Sequence, residues 1–267
     1  YDGALLYITS GSIRDGFPNV MGKNDETASF MADLAHRNQA VTVILRQVPN
    51  QPLYDGLTED ALISYTLNEF RKDSNYAWPL LFPMTKSAIK ALDVVQAFST
   101  EHLDREINRF VVSGASKRGW TTWLSAATGD KRIIAIAPMV IDMLNMPATL
   151  EYQKEMYGEY SKEIHDYVEL EIPQALHSDF GSAVVKMIDP YSYRSKLQLP
   201  KMIILATNDP YWTVDAVKHY INEIPGHNLL HYVANAGHNL GDKKQAVAAL
   251  SAFFALNLIN SPIPECS

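Results

Sequence analysis

Short apolar runs alternate with amphipathic stretches along most of this chain. Residues 4–9 form the first run, closed by Ser10-Gly11-Ser12, which predicts a strand and a turn. From about 25 to 37 the apolar positions Phe30, Met31, Leu34 and Ala35 share one helical face. Residues 40–48 predict a second strand, in which Val41, Val43, Ile44 and Leu45 are nearly continuous and Pro49-Asn50-Gln51-Pro52 is the break. Such runs belong to strands covered on both faces, as in parallel sheets. Thr58-Glu59-Asp60 starts a helix to about 71, with Ala61, Ile63, Leu67 and Phe70 inward. An aromatic loop around Trp78 ends at Pro79 and Pro83, and Thr85 caps a helix over 86–98. Strands follow at 109–113, 133–137, 201–207 and 229–233, with helices at 117–128, 213–224 and 243–258.

Strands alternating with helices predict a parallel sheet with helices on both faces. Residues 142–200 depart from that rhythm. They hold Met143, Met146, Tyr152, Met156, Tyr157, Tyr160, Tyr167, Phe180 and Met187, and read as a mostly helical cap or lid inserted after the fourth strand. The core is then 1–141 with 201–267.

Three polar residues fall just past strand-like runs. Ser116 lies in Gly114-Ala115-Ser116-Lys117-Arg118-Gly119, after Phe110-Val111-Val112. Asp209 closes the run that begins at Met202, and His238 follows Leu229-Leu230-His231-Tyr232-Val233. Serine, acid, histidine is the chain order of an α/β-hydrolase triad. A serine hydroxyl is a weak nucleophile until a histidine takes its proton, and the histidine needs a carboxylate to fix its tautomer. Each residue also has a plainer use: serine caps helices, Asn-Asp-Pro makes turns, and histidine sits in loops. Their joint order favours the triad. Asp215 and Asp142 are the alternative acids.

The small residues before Ser116 allow a sharp strand-to-helix turn, with helix amides aimed at a developing oxyanion. The backbone of Lys117 supplies one such amide, and Gly11 or Ser12, after the first strand, is placed for the second. The usual second glycine of the turn is replaced by Arg118, and glycine comes one place later. Cations on a first helical turn oppose the helix dipole. Arg118 is therefore expected to turn inward to a carboxylate, with Glu59, Asp60 and Asp142 the candidates.

Composition changes the picture only by exclusion. A net charge of −7 with no Lys/Arg run argues against nucleic acid as a partner. No apolar run approaches the roughly 18 residues of a membrane span. The single cysteine, Cys266, has no internal partner for a disulfide and no neighbouring ligands for a metal. The start at Tyr1-Asp2-Gly3, without a methionine, reads as a processed or trimmed end.

Several stretches carry a family likeness. Gln47-Val48-Pro49-Asn50-Gln51-Pro52-Leu53, Thr58-Glu59-Asp60-Ala61, Phe82-Pro83-Met84-Thr85-Lys86 and, most specifically, Ser116-Lys117-Arg118-Gly119-Trp120 resemble the PhoPQ-activated pathogenicity-related proteins. So do Ala137-Pro138-Met139-Val140-Ile141-Asp142 and Asp189-Pro190-Tyr191-Ser192-Tyr193. The likeness runs over nearly the whole chain and extends to secreted autocrine proliferation repressors. It implies an α/β-hydrolase fold, a secreted or periplasmic protein, and further residues before Tyr1 and after Ser267. It also implies that the arginine at 118 is the family's own form of the turn.

Two functions fit. One is a serine hydrolase that acts on a small-molecule or peptide ester or amide, with Ser116, His238 and Asp209 catalytic, Arg118 and Asp142 supporting the turn or substrate, and neither metal nor organic cofactor. The other is a secreted signalling or virulence-associated protein that binds a protein partner on a hydrolase scaffold.

Overall fold

A computed structural model describes residues 2–13, 21, 22 and 24–259; Cys266 lies outside the described residues. Among the described residues six strands form one sheet: β1 Gly3–Ile8, β2 Val41–Leu45, β3 Arg109–Ala115, β4 Ile133–Met139, β5 Lys201–Ala206 and β6 Asn228–Val233. Their order is β2-β1-β3-β4-β5-β6, and every neighbouring pair is parallel. The helices are α1 Glu26–Asn38, α2 Glu59–Asp73, α3 Leu81–His102, α4 Lys117–Ala127, α5 Met146–Tyr157, α6 His165–Glu169, α7 Asp179–Ile188 and α8 Lys244–Leu258.

The apolar runs are explained by burial on both faces. Leu6, Ile8, Phe110 and Val112 pack with Leu62 and Leu67 of α2, Leu92 of α3 and Trp123 of α4. Their alternates Leu5, Val111, Ala135 and Ile204 pack with Met31 and Leu34 of α1 and Leu250, Phe253 and Phe254 of α8. Strands β2 and β6 are partly exposed along most of their length, because among the described strands they lie at the two sheet edges. Strand order reverses between β1 and β3. Parallel sheets leave a crevice at such a point, beyond the carboxyl ends of the strands. Ser116 follows β3 there, and Ser10-Gly11-Ser12 follows β1.

Two elements differ from the periodicity. Helix α3 begins at Leu81, so Pro83 lies in its first turn, where its missing N–H needs no helical partner. Thr85 is not a cap: it is buried, and its hydroxyl donates to the Leu81 carbonyl at 2.7 Å. The expected helix over 213–224 is instead two 3-10 turns, Ala216–His219 and Ile221–Glu223. Tyr220 separates them with φ −147° and is 1% exposed. Burying that side chain outweighs the weak helix preference of a β-branched stretch.

Residues 142–200 hold α5, α6, α7 and three 3-10 turns, Lys162–Ile164, Pro173–Ala175 and Pro190–Lys196, and no strand. They rest on α4, where the Trp120 indole donates to the Ile188 carbonyl at 2.6 Å. Asp189 ties the segment together by accepting from the backbone of Asn145, Met146 and Tyr191. At its exit Lys201 is fully buried, and its ammonium donates to the carbonyls of Leu197, Leu199 and Pro225 at 2.6–2.7 Å.

Candidate active site

Ser116 stands between β3 and α4 with φ 56° and ψ −125°. That conformation is costly for a residue with a side chain, and here the surroundings hold it. The Ser116 amide donates to the Met139 carbonyl at 2.9 Å, and its carbonyl accepts from Trp120 N at 2.9 Å. The glycines beside the turn have a steric reason. A Cβ on Gly114 would meet the Arg118 carbonyl oxygen at 2.8 Å, and one on Gly119 would meet the Met139 oxygen at 2.8 Å. The close approach of α4 to the sheet is thus made at 114 and 119, which leaves position 118 open to a long side chain.

Asp209 and His238 reach the serine from loops after β5 and β6. The loops are tied by Asn208 N donating to the Ala236 carbonyl at 2.9 Å and Asn235 N to Thr207 Oγ1 at 2.8 Å. His238 Nδ1 lies 2.8 and 3.0 Å from the Asp209 carboxylate oxygens, and Nε2 lies 2.9 Å from Ser116 Oγ. A carboxylate only accepts, so Nδ1 carries the proton and Nε2 is free to accept from the serine. Asp209 is buried and also accepts from Tyr211 N at 3.0 Å. The Tyr211 ring stacks on the imidazole, with centroids 4.1 Å apart. Burial, with carboxylates nearby, pushes the Tyr211 phenol up to about 12.

Arg118 turns inward and is 5% exposed. Its guanidinium donates to both Glu59 oxygens at 2.6 and 2.8 Å, and Nε donates to the Val48 carbonyl at 2.6 Å. Burial alone would push the Glu59 carboxyl up. The Arg118 hydrogen bonds and charge, with Gln51 and Lys117, carry it down to about 2. Lys117 Nζ donates to Asp60 at 2.7 Å, and the other Asp60 oxygen accepts from the Tyr167 hydroxyl of α6 at 3.0 Å.

The alternative acids stand elsewhere. Asp215 accepts from Tyr152 at 2.9 Å and pairs with Lys218 at 2.8 Å. Asp142 meets neither Arg118 nor His238; it accepts from the buried Tyr220 hydroxyl at 2.7 Å, which corrects its assignment as a support of the turn. Desolvation pushes Asp142 up to about 7 and Asp189 up to about 6. Both groups then hold protons in the fold that the unfolded chain has already released. The resulting stability is complete below about pH 4 and is lost as pH rises through 7, by at most about 4 kcal/mol for Asp142. Asp142→Asn should therefore flatten the change in melting temperature between about pH 4 and pH 7. A variant as pH-sensitive as the parent would refute this account.

Gly11 packs on Gln47, where an added Cβ would lie 2.7 Å from Cγ, and Ser12 bridges to Gln51. The register sets Ile8 beside Gly114, so both chains leave the sheet at the carboxyl end, where Ser116 stands. On the α4 side, Ser116 opens on a narrow apolar cavity whose walls include Trp120, Met143, Met146, Leu150, Tyr167 and Tyr211. Neither Tyr167 nor Tyr211 stands out as a site residue in the sequence pattern. The one available signal was the aromatic pair directly after Asp209-Pro210. Among the described residues no group of three or more His, Cys, Asp or Glu is placed to hold a metal ion. No described helix is long and apolar enough to cross a membrane.

The family model for the PhoPQ-activated pathogenicity-related protein matches residues 1–267. The chain belongs to that family. In this member of the family, Arg118 stands where the nucleophile turn of α/β hydrolases ordinarily has glycine. Autocrine proliferation repressor protein A of Dictyostelium discoideum is 33% identical over 269 residues, which cover 97% of this chain and 53% of the relative. The chain therefore spans about half the length of that relative. Among solved structures, Est1E from Butyrivibrio proteoclasticus aligns with TM-score 0.55 and 14% identity, over 96% of this chain and 89% of that one. Acetyl xylan esterase from Paenibacillus sp. R4 aligns with TM-score 0.59 and 13% identity, over 94% and 74%. Pyrococcus horikoshii acylaminoacyl peptidase aligns with TM-score 0.55 and 13% identity, over 99% and 38%. With the parallel sheet, these likenesses show that this PhoPQ-related chain has the α/β-hydrolase fold.

Proposed function

We propose that the chain is a serine hydrolase that cleaves an ester or amide through an acyl-enzyme. The observation that carries this reading is the unbroken line Asp209–His238–Ser116, with 2.8 and 2.9 Å links at the two imidazole nitrogens. In this reading Ser116 Oγ attacks the acyl carbon while its proton passes to His238 Nε2. The imidazolium is stabilised by Asp209 and gives that proton to the leaving group. Water, deprotonated by the same nitrogen, then releases the acid and restores Ser116. The Lys117 amide at the start of α4, with Gly11 or Ser12 across the crevice, holds the oxyanion. No metal or cofactor takes part.

The Dictyostelium relative is named as an autocrine repressor of proliferation, which supports a second reading. In it the chain is exported and binds a partner, with little or no turnover. A fluorophosphonate probe separates the two. The expected result is one covalent adduct, on Ser116, absent in Ser116→Ala. A folded protein that takes no label would favour binding over turnover.

A further inference from the structure

We infer that the cavity beside Ser116 receives an uncharged, apolar acyl group, and that Leu150 of α5, on the cavity wall, sets how long a chain fits. The inference rests on the hydrolase reading and adds a substrate class to it.

Three observations carry it. The first is position. The leaving group must take its proton from His238, so it leaves on the histidine side. The cavity is walled by Ser116 and by Lys117, whose amide is assigned to the oxyanion, and the Tyr211 ring on its wall covers the face of the His238 imidazole, which puts it on the acyl side. The second is packing. Leu150, Ile164 and Leu176 form a small apolar cluster of their own, separate from the sheet core that holds Trp120, Met143 and Met146. The cavity touches both clusters. An apolar chain entering there meets side chains on both sides without displacing hydrogen-bonded groups. The third is charge. Among the described residues, the only charged side chains on the cavity wall are Asp60 and Lys117. Lys117 already pairs with Asp60 at 2.7 Å and with Glu59 at 3.4 Å, and Asp60 also accepts from Tyr167. A carboxylate or ammonium on the acyl group would enter without a free counter-ion, and burying an unpaired charge is strongly unfavourable. The cavity therefore rejects acyl groups that carry a free amine, and esters of simple carboxylic acids suit it better than unblocked aminoacyl amides.

The test uses p-nitrophenyl alkylphosphonates, which trap the serine without turnover. The methyl, butyl, hexyl and ω-aminohexyl reagents are compared by the rate at which mass spectrometry detects the Ser116 adduct. Burial of each methylene is worth up to about fourfold. Hexyl is expected to react at least tenfold faster than methyl, and ω-aminohexyl slower than hexyl. In Leu150→Trp the hexyl-to-methyl ratio should collapse towards one, and in Leu150→Ala the hexyl-to-butyl ratio should rise above that of the parent. Because each ratio is taken within one variant, it can still be read from a partly destabilised protein. Equal methyl and hexyl rates in the parent would overturn the acyl pocket alone. An aminohexyl reagent as fast as hexyl would overturn its preference for uncharged groups. No Ser116 adduct with any reagent, methyl included, would overturn the hydrolase reading and the pocket with it.

Discussion

Asp209→Asn is expected to slow fluorophosphonate labelling of Ser116 by about 10⁴-fold, the loss seen for the equivalent change in a serine protease triad. The carboxylate receives the Nδ1 proton and so keeps Nε2 unprotonated towards Ser116. An asparagine at 209 can turn its amide N–H to Nδ1, which selects the opposite tautomer and leaves Nε2 with a proton. The serine then has no base. The fold should survive, because Asn keeps an oxygen that can accept from Tyr211 N. Asp142→Asn and Asp215→Asn should cost less than tenfold, since their carboxylates serve Tyr220 and the Tyr152–Lys218 pair. A larger loss from either, or a loss below tenfold from Asp209→Asn, would sink the assignment.

Arg118→Ala is expected to destabilise the protein by about 3 kcal/mol, the low end for breaking a buried pair, because Glu59 keeps some contact with water. It leaves the Val48 carbonyl without its 2.6 Å donor and Glu59 without its fork. Arg118→Lys keeps the charge but cannot bond both oxygens and the carbonyl at once, so it should restore only part of the loss. Glu59 is depressed from 4.5 to about 2, so the stability it contributes is present above pH 4.5 and is lost as pH falls towards 2. Calorimetry of the parent and both variants across that window checks it. If both melt like the parent, the arginine does not anchor the turn.

Strands were the legible part of this fold. Runs such as Phe110-Val111-Val112 are apolar because both faces of the sheet are covered, and that signal is local. The order of Ser116, Asp209 and His238 was legible for the same reason, each residue following such a run. What could not be read depended on partners distant in sequence. Pro83 looks like a stop, yet it sits where a helix tolerates proline. Residues 213–224 look helical until Tyr220 meets Asp142, 78 residues away. Tyr167 reaches Asp60 across 107 residues, and nothing local marks either one as a wall of the cavity.

The segment from Val140 to Pro200 leaves the carboxyl end of β4 and enters the amino end of β5. Because these strands are parallel, some length of chain must travel back along the sheet between them. Here the returning piece is also the roof over Ser116. It is therefore no appendage that could be trimmed to a tight turn and leave a bare scaffold behind. Its side chains answer to two demands at once, the return of β5 to the sheet and the shape of the space above the serine. Variation that retunes one is constrained by the other, so change in this region should come by exchange of side chains within a segment of constant span, not by loss of the segment.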